Sequence, residues 1–301
     1  MAERENPEKL RVTRDHRRQW RTCLYVYPVI SRRSKGLSIG VNLNPDKQCN
    51  FSCLYCQINR RILRDLDTVD MAVLADELRL ALREATSGRL WAEHRFAGTP
   101  EDLRRINDVA LSGDGEPTCL PNFDEAVRAA ADAKNEFGRD DVKIVVITNA
   151  SKLDQPQFQR ALPILDANNG EIWAKLDAGT EAFFRRVNRP YPVITLRHIL
   201  ENIRRVALGR PVVIQSLFFR MDGVAPPERE IDAYIENVRE IIAGGGQVKL
   251  IQVHTIARPP VSPSAAAMPN DELDALAEKV RAALPSVPVE VYYGTDVSPQ
   301  E

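Results

Sequence analysis

The 301 residues are 44% hydrophobic, 28% charged and 6% aromatic, the make-up of one large folded domain or two smaller ones, which excludes low-complexity and intrinsically disordered chains. Forty-one Lys+Arg against forty-two Asp+Glu leave a net charge of -1, so the chain as a whole is not a polybasic binder of nucleic acid or membrane surfaces. No run of about eighteen apolar residues occurs, and the first residues are too polar for a signal-peptide core, so a cytoplasmic protein with no membrane partner is expected.

In chain order the first feature is one of charge. Residues 1–35 carry ten Lys/Arg and four Asp/Glu, net +6, while the rest carry 31 against 38, net -7. They read as a basic N-terminal extension in which Arg11, Arg14, Arg17, Arg18 and Arg21 surround Trp20. With Arg60, Arg61 and Arg64 further on, these residues either meet nucleic-acid phosphates or form a solvated charged face.

From 36 to 294 short β-branched apolar runs alternate with longer amphipathic stretches, the pattern of six βα units in an α/β fold with a parallel sheet or barrel. Strands are predicted at 37–43, 109–113, 143–148, 171–176, 212–217 and 248–254, with a short extra strand near 289–293. A helix opens at Asn122, with Glu125 placed as in a capping box, and runs to about Glu136. Ile231, Tyr234, Ile235, Val238, Ile241 and Ile242 form a second apolar stripe, stopped by three glycines at 244–246. A third follows Asn270, with Leu273, Leu276, Ala277, Val280 and Leu284 on one face, and ends at Pro285. Residues 86–107 and the Pro-rich 258–269 read as insertions, acting as lids, substrate contacts or plain surface loops, and 295–301 as a flexible tail.

Alternation along the strands separates Ser38, Gly40, Asn42 and Asn44 from Leu37, Ile39, Val41 and Leu43. Trp173, Lys175 and Asp177 are likewise set apart from Ile172, Ala174 and Leu176. Polar residues also collect at the carboxyl ends of the strands, where barrels carry their chemistry: Asn44, Asp114, Asn149, Lys175, Asp177, Gln215, Ser216 and His254. An open, solvated or ligand-filled lumen is expected, although pairs such as Lys175 with Asp177 also satisfy each other.

Three of the five cysteines, Cys49, Cys53 and Cys56, fall in CNFSCLYC, directly after the first predicted strand. In a reducing compartment such a cluster reads as metal ligands or reactive thiols. Zinc normally takes four Cys or His ligands, and the nearest histidines in sequence are His16 and His94, so zinc would need a remote fourth ligand. Three thiolates suit a [4Fe–4S] cluster with one iron left without a protein ligand, where a small molecule can bind.

CNFSCLYC, with Tyr55 before its last cysteine, resembles the CxxxCxxC motif of the radical S-adenosylmethionine (SAM) superfamily. That resemblance implies a partial (β/α)6 TIM-like barrel and a [4Fe–4S] cluster on Cys49, Cys53 and Cys56. It further implies SAM chelated at the open iron and cleaved reductively to a 5′-deoxyadenosyl radical that abstracts hydrogen from a substrate. A flavodoxin- or ferredoxin-type electron donor goes with this chemistry. By the same analogy Tyr55 lies against the adenine, unless it simply packs over the cluster. Ser112-Gly113-Asp114-Gly115-Glu116-Pro117-Thr118 is similar to the superfamily's Gly-Gly-Glu-type segment for the SAM amino group. Here Gly113 and Gly115 would allow close backbone approach, and Glu116 is favoured over the intervening Asp114 as the acceptor. Asn149, Lys175 and Asp177 are placed by resemblance at the ribose or carboxylate of SAM.

Over most of 36–294, segments such as SIGVNLNPDKQCNFSCLYC and IWAKLDAGTEAFFRRVNRP resemble iron–sulfur oxidoreductases related to wybutosine-tRNA synthases. The flavodoxin-like domain of those enzymes has no counterpart, and Cys23 and Cys119 are too few to bind a second cluster. Catalytic candidates are His254, a proton donor or acceptor unless it is a satisfied strand-end histidine, and Cys119, a hydrogen-atom donor or a small buried hydrophobe. The function expected is a radical SAM enzyme acting on an unidentified substrate, RNA included. The alternatives are a glycyl-radical-type activase acting on a partner protein and a nucleic-acid-binding iron–sulfur module without catalysis.

Overall fold

The computed structural model describes residues 17–60 and 68–294. Contacts divide them into two compact units, the first built from 17–48, 68–146 and 155–171, the second from 49–60, 147–154 and 172–294.

In the first unit β1 (Val26–Ser31) and β2 (Gly36–Asn42) form an antiparallel hairpin, with Val26 opposite Val41 and Ser31 opposite Gly36. Helix α1 (Met71–Thr86) follows, begun by Asp70, whose carboxylate accepts the backbone N–H groups of Ala72 and Val73. Strand β3 (Ile106–Ser112) pairs in parallel with β2, and after α2 (Phe123–Glu136) strand β4 (Lys143–Thr148) pairs in parallel with β3. Helices α1 and α3 (Pro156–Ala167) both pack on α2, where Phe123 and Phe158 stack with ring centroids 5.8 Å apart. Leu37, Ile39, Val41, Val109, Leu111, Ile144 and Val146 supply a fully buried core.

Charge alone conceals β1, because its run VYPVIS lies inside the basic stretch. The structure buries Val26, Val29 and Ile30 in the first unit. Glu77 of α1, itself buried, accepts the backbone N–H groups of Leu24, Tyr25 and Val26 at 2.6, 2.9 and 3.0 Å, anchoring the entry to this strand. The insertion at 86–107 is ordered in two short 3-10 turns, buries Leu90 and Phe96, and receives the preceding arm. Glu93 accepts from Trp20 Nε1 at 3.0 Å and from Arg21 at 2.7 Å, and Arg21 also reaches Glu84 at 2.7 Å. Trp20 is therefore buried and Arg18 part-buried, while Arg21 pairs with two carboxylates and stays exposed. Arg11, Arg14, Arg61, Arg64 and the tail at 295–301 lie outside the described residues.

The second unit continues with β5 (Gly170–Lys175), α4 (Glu181–Val187), α5 (Leu196–Gly209) and β6 (Val212–Leu217), then β7 (Phe219–Met221), α6 (Glu228–Ala243) and β8 (Val248–His254). The last elements are β9 (Ala265–Ala267), α7 (Asn270–Ala283) and β10 (Val289–Tyr292). Strands β5, β6, β8 and β10 pair in parallel in that order, while β7 and β9 make a small antiparallel ribbon. The predicted strands at 143–148, 212–217 and 248–254 coincide with those observed. The expected capping at Asn122 does not form: its amide turns to Glu125 at 3.2 Å and caps no backbone N–H. Nor does Asn270 cap α7; it is the first helical residue, behind Pro269.

The polar sets on the strands are largely satisfied by one another. Ser38 bonds Asp108, Asn42 bonds Asp114 at 3.0 Å, Gln215 bonds Gln252 at 2.9 Å and Ser216 bonds Tyr234 at 2.8 Å, all of them buried. At these positions mutual pairing replaces the solvated lumen expected from the sequence.

Candidate functional site

The cysteine loop belongs to the second unit. Its backbone is held by the segment that follows α4: Ser52 N–H bonds Arg189 O at 3.1 Å, Leu54 N–H bonds Val187 O at 2.9 Å, and Tyr191 N–H bonds Asn50 O at 3.0 Å. Phe51 bridges Pro190 in antiparallel register and packs edge-on against Phe184, ring centroids 5.6 Å apart. Leu54 is buried with Val187, Phe219, Ile256 and Ala265. The Pro-rich insertion closes over the loop's end, where Val261 N–H bonds Cys56 O at 2.9 Å, and it lines a cavity of about 890 Å³ with Ala265–Met268 and Asp271. That segment is thus a structural contact of the cysteine loop.

All three cysteines are partly exposed. Burial of the sulfur, reinforced by the nearby Cys49 thiol, pushes the Cys53 thiol up to about 12. Two sulfurs accept hydrogen bonds, Cys53 from Asn188 Nδ2 at 3.7 Å and Cys56 from Arg60 Nη2 at 3.6 Å. Among the described residues no three His, Cys, Asp or Glu side chains converge where a single metal ion could sit. A cubane cluster requires no such convergence, since each thiolate takes a different iron, and N–H donors on the sulfurs are among the contacts that tune such clusters. The donor set fits an iron–sulfur cluster.

Around the loop the predicted polar residues meet one another. Tyr55 OH donates to Asp177, and burial with that carboxylate holds the phenol well above its ordinary value. The Tyr55 ring lies edge-on to Phe219 at 5.8 Å and beneath the Lys175 ammonium, 5.1 Å from its centroid. Lys175 pairs with Asp177 at 3.2 Å, and Asp177 also accepts Leu217 N–H at 2.9 Å. Asn149 donates to Asn50 Oδ1 at 2.8 Å, while Asn50 donates to Ser151 Oγ at 2.7 Å, which fixes the residue beside Cys49. The left-handed backbone of Ala150 (φ 63°) makes this tight turn after β4. His254 ends β8, its carbonyl accepting Phe218 N–H at 2.9 Å.

The glycine-rich segment belongs to the first unit. The sequence assigns its glycines to close approach of a ligand, and the structure gives both a protein neighbour. A Cβ on Gly113 would overlap Asn42, and one on Gly115 would overlap the Gln48 carbonyl and the Asn44 side chain. Asp114 receives Arg18 in an ion pair and Asn42 Nδ2 at 3.0 Å, and its own N–H donates to Asn42 Oδ1 at 2.9 Å. Glu116, buried, uses Oε1 to accept Thr118 Oγ1 at 2.6 Å and Thr118 N–H at 3.2 Å, opening the turn that carries Cys119. Asn44 Oδ1 is buried beside Gly115 and has no hydrogen-bond partner among the described residues, an acceptor suited to an ammonium. Asn188 was not singled out by sequence, and Arg18 and Asn44 were marked only as an arm arginine and a strand-end polar residue, since each contact joins segments far apart in the chain.

The radical SAM superfamily profile matches residues 43–221, a span holding both loops. The chain belongs to the radical SAM superfamily. A UPF0026 protein of Helicobacter pylori is 31% identical over 181 residues, covering 59% of this chain and 50% of that protein. The chain therefore spans about half the length of the curated relatives it matches. Among solved structures, a radical SAM methyltransferase from Sphaerobacter thermophilus aligns with a TM-score of 0.60 at 16% identity, covering 91% of this chain and 71% of that one. TYW1 with a lysine–pyruvate adduct bound aligns at 0.53 and 18% identity, covering 81% and 73%. These likenesses show the fold, the partial TIM-like barrel of radical SAM proteins, as the resemblance implied. Membership implies SAM and an iron–sulfur cluster as the cofactors. Among the described residues no helix is long and apolar enough to cross a membrane.

Proposed function

We propose that this radical SAM protein holds a [4Fe–4S] cluster on Cys49, Cys53 and Cys56, binds SAM, and uses it to abstract hydrogen from a substrate. The cluster, reduced by a flavodoxin- or ferredoxin-type donor, supplies the electron that cleaves SAM to methionine and a 5′-deoxyadenosyl radical. The observation that carries this reading is the cysteine loop itself, three thiols on a backbone pinned by residues 187–191 with N–H donors on two sulfurs.

The chain's own residues divide the work. Asn50, Asn149 and Ser151 fix the loop's first turn, and Lys175 with Asp177 positions Tyr55 over the second. In the first unit Arg18 and Asn42 hold Asp114, and Glu116, the carboxylate that the resemblance favours, is the receptor proposed for the ammonium of SAM.

Anaerobic reconstitution with iron and sulfide should give a brown protein with about four irons per chain, and dithionite with SAM should then yield 5′-deoxyadenosine. A reconstituted protein that forms none refutes the proposal. Offering RNA, peptide and metabolite pools labelled with deuterium, and following transfer into 5′-deoxyadenosine, identifies the substrate class. Truncation to test RNA binding by the arm should stop at residue 16, because removing 1–35 would also delete β1.

A further inference from the structure

We propose that Asn188 is a positioning residue for the cluster, an amide that clamps the Cys53 sulfur to the Lys175–Asp177 pair and raises the cluster's reduction potential. The proposal rests on the three cysteines binding an iron–sulfur cluster.

Asn188 directly follows α4, and its N–H bonds Phe184 O at 2.9 Å as an ordinary helix cap would. Its surroundings are not ordinary. The backbone bonds from Val187 to Leu54 and from Arg189 to Ser52 fix residues 187–189 alongside 52–54, so Asn188 stands opposite Cys53 in register. Arg189 adopts a left-handed conformation (φ 45°), completing the turn that keeps the register at this point.

The side chain is 3% exposed. Nδ2 donates to Asp177 Oδ2 at 2.9 Å and points its remaining hydrogen between Cys53 Sγ at 3.7 Å and Tyr55 OH at 3.3 Å. The acceptor at Asp177 fixes which end of the amide is nitrogen, because an amide oxygen facing that carboxylate would be repelled. Among the described residues Asn188 Oδ1, which is buried, has no hydrogen-bond partner. A buried, half-satisfied amide is unfavourable, and an apolar residue of similar volume would avoid the penalty. The feature that repays it is the pair of N–H groups, one bound to a carboxylate and one aimed at a ligand sulfur.

With Cys53 as a thiolate, the N–H···S contact becomes charge-assisted and draws electron density from the sulfur. Adding an electron increases the negative charge on the cluster, so a donor at its sulfur stabilises the reduced form and makes reduction easier. Asp177 holds the donor in line and is itself fixed by Leu217 N–H and Lys175.

The test compares wild type with Asn188→Ala and Asn188→Leu after anaerobic reconstitution. Folding is followed by circular dichroism, iron by chemical assay, and the midpoint potential by EPR-monitored titration without SAM. The leucine variant is uncharged, lacks both N–H groups and keeps close to the shape of the side chain, so it carries the test if the alanine variant does not fold. Both variants are expected to load iron and to be harder to reduce, by about tenfold in the reduction equilibrium, equivalent to about 59 mV for a one-electron couple. A wild-type potential in either iron-loaded variant overturns the proposal. Failure of the wild-type protein itself to bind iron overturns the underlying reading instead, which keeps the two failures distinct.

Discussion

Asp108 is expected to make the protein less stable at neutral pH than in mild acid, and its replacement by asparagine should remove that dependence. The residue sits on β3, 2% exposed, bonded to Ser38. Its register neighbour Lys143 is no full counter-ion, because the ammonium bonds Glu171 at 2.7 Å. Burial therefore dominates and pushes the carboxyl from 3.8 to about 6. Between those values the folded state binds more protons than the unfolded state, so stability falls as pH rises through the window. A shift of about two units corresponds to about 3 kcal/mol, fully present below pH ~4 and lost above pH ~6. In the variant Asp108→Asn the side-chain amide would still accept from Ser38 and carry no charge, so at pH 8 the variant should exceed wild type by about 2 kcal/mol or more. Urea unfolding of both proteins at pH 5 and pH 8 measures this. A variant less stable at both pH values, with a difference that does not change between them, would refute the assignment of burial as the dominant cause.

Other outcomes follow from the first unit. Arg18→Ala removes the ion pair that holds Asp114, and with it support for the loop that carries Glu116, and should weaken SAM binding to the reconstituted protein by up to about tenfold. Equilibrium dialysis with labelled SAM checks this, and unchanged affinity would mean that the arm does not help to shape the loop. Gly115→Ala places a methyl group against the Gln48 carbonyl and should cost about 3 kcal/mol of stability even without cofactors. A wild-type unfolding midpoint for that variant would show that the glycine answers to a ligand and not to the 42–48 segment.

The superfamily was legible because the three cysteines of its motif are neighbours in sequence, as were the strands whose apolar runs stand clear of charge. Val26–Ser31 was not, because ten basic residues in the same stretch dominate any reading by composition, although VYPVIS has the apolar content of a strand. The glycines at 113 and 115 were marked for close approach of a ligand, and the structure sets protein atoms against both. Their partners, Asn42, Asn44 and Gln48, come from another βα unit and leave no local signal. Asn188 illustrates the general limit: in sequence it is an asparagine after a helix, a common cap, while its contact with Cys53 spans 135 positions.

The hydrogen bonds between residues 187–191 and 50–54 tie the cysteine loop to the segment after α4 through the backbone. In a zinc finger, by contrast, metal affinity and folding are a single free energy, and losing the ion loses the fold. For the proposed cluster on this loop, loss of iron and loss of fold are expected to be separable events, since the backbone bonds at 50–54 are made within the polypeptide.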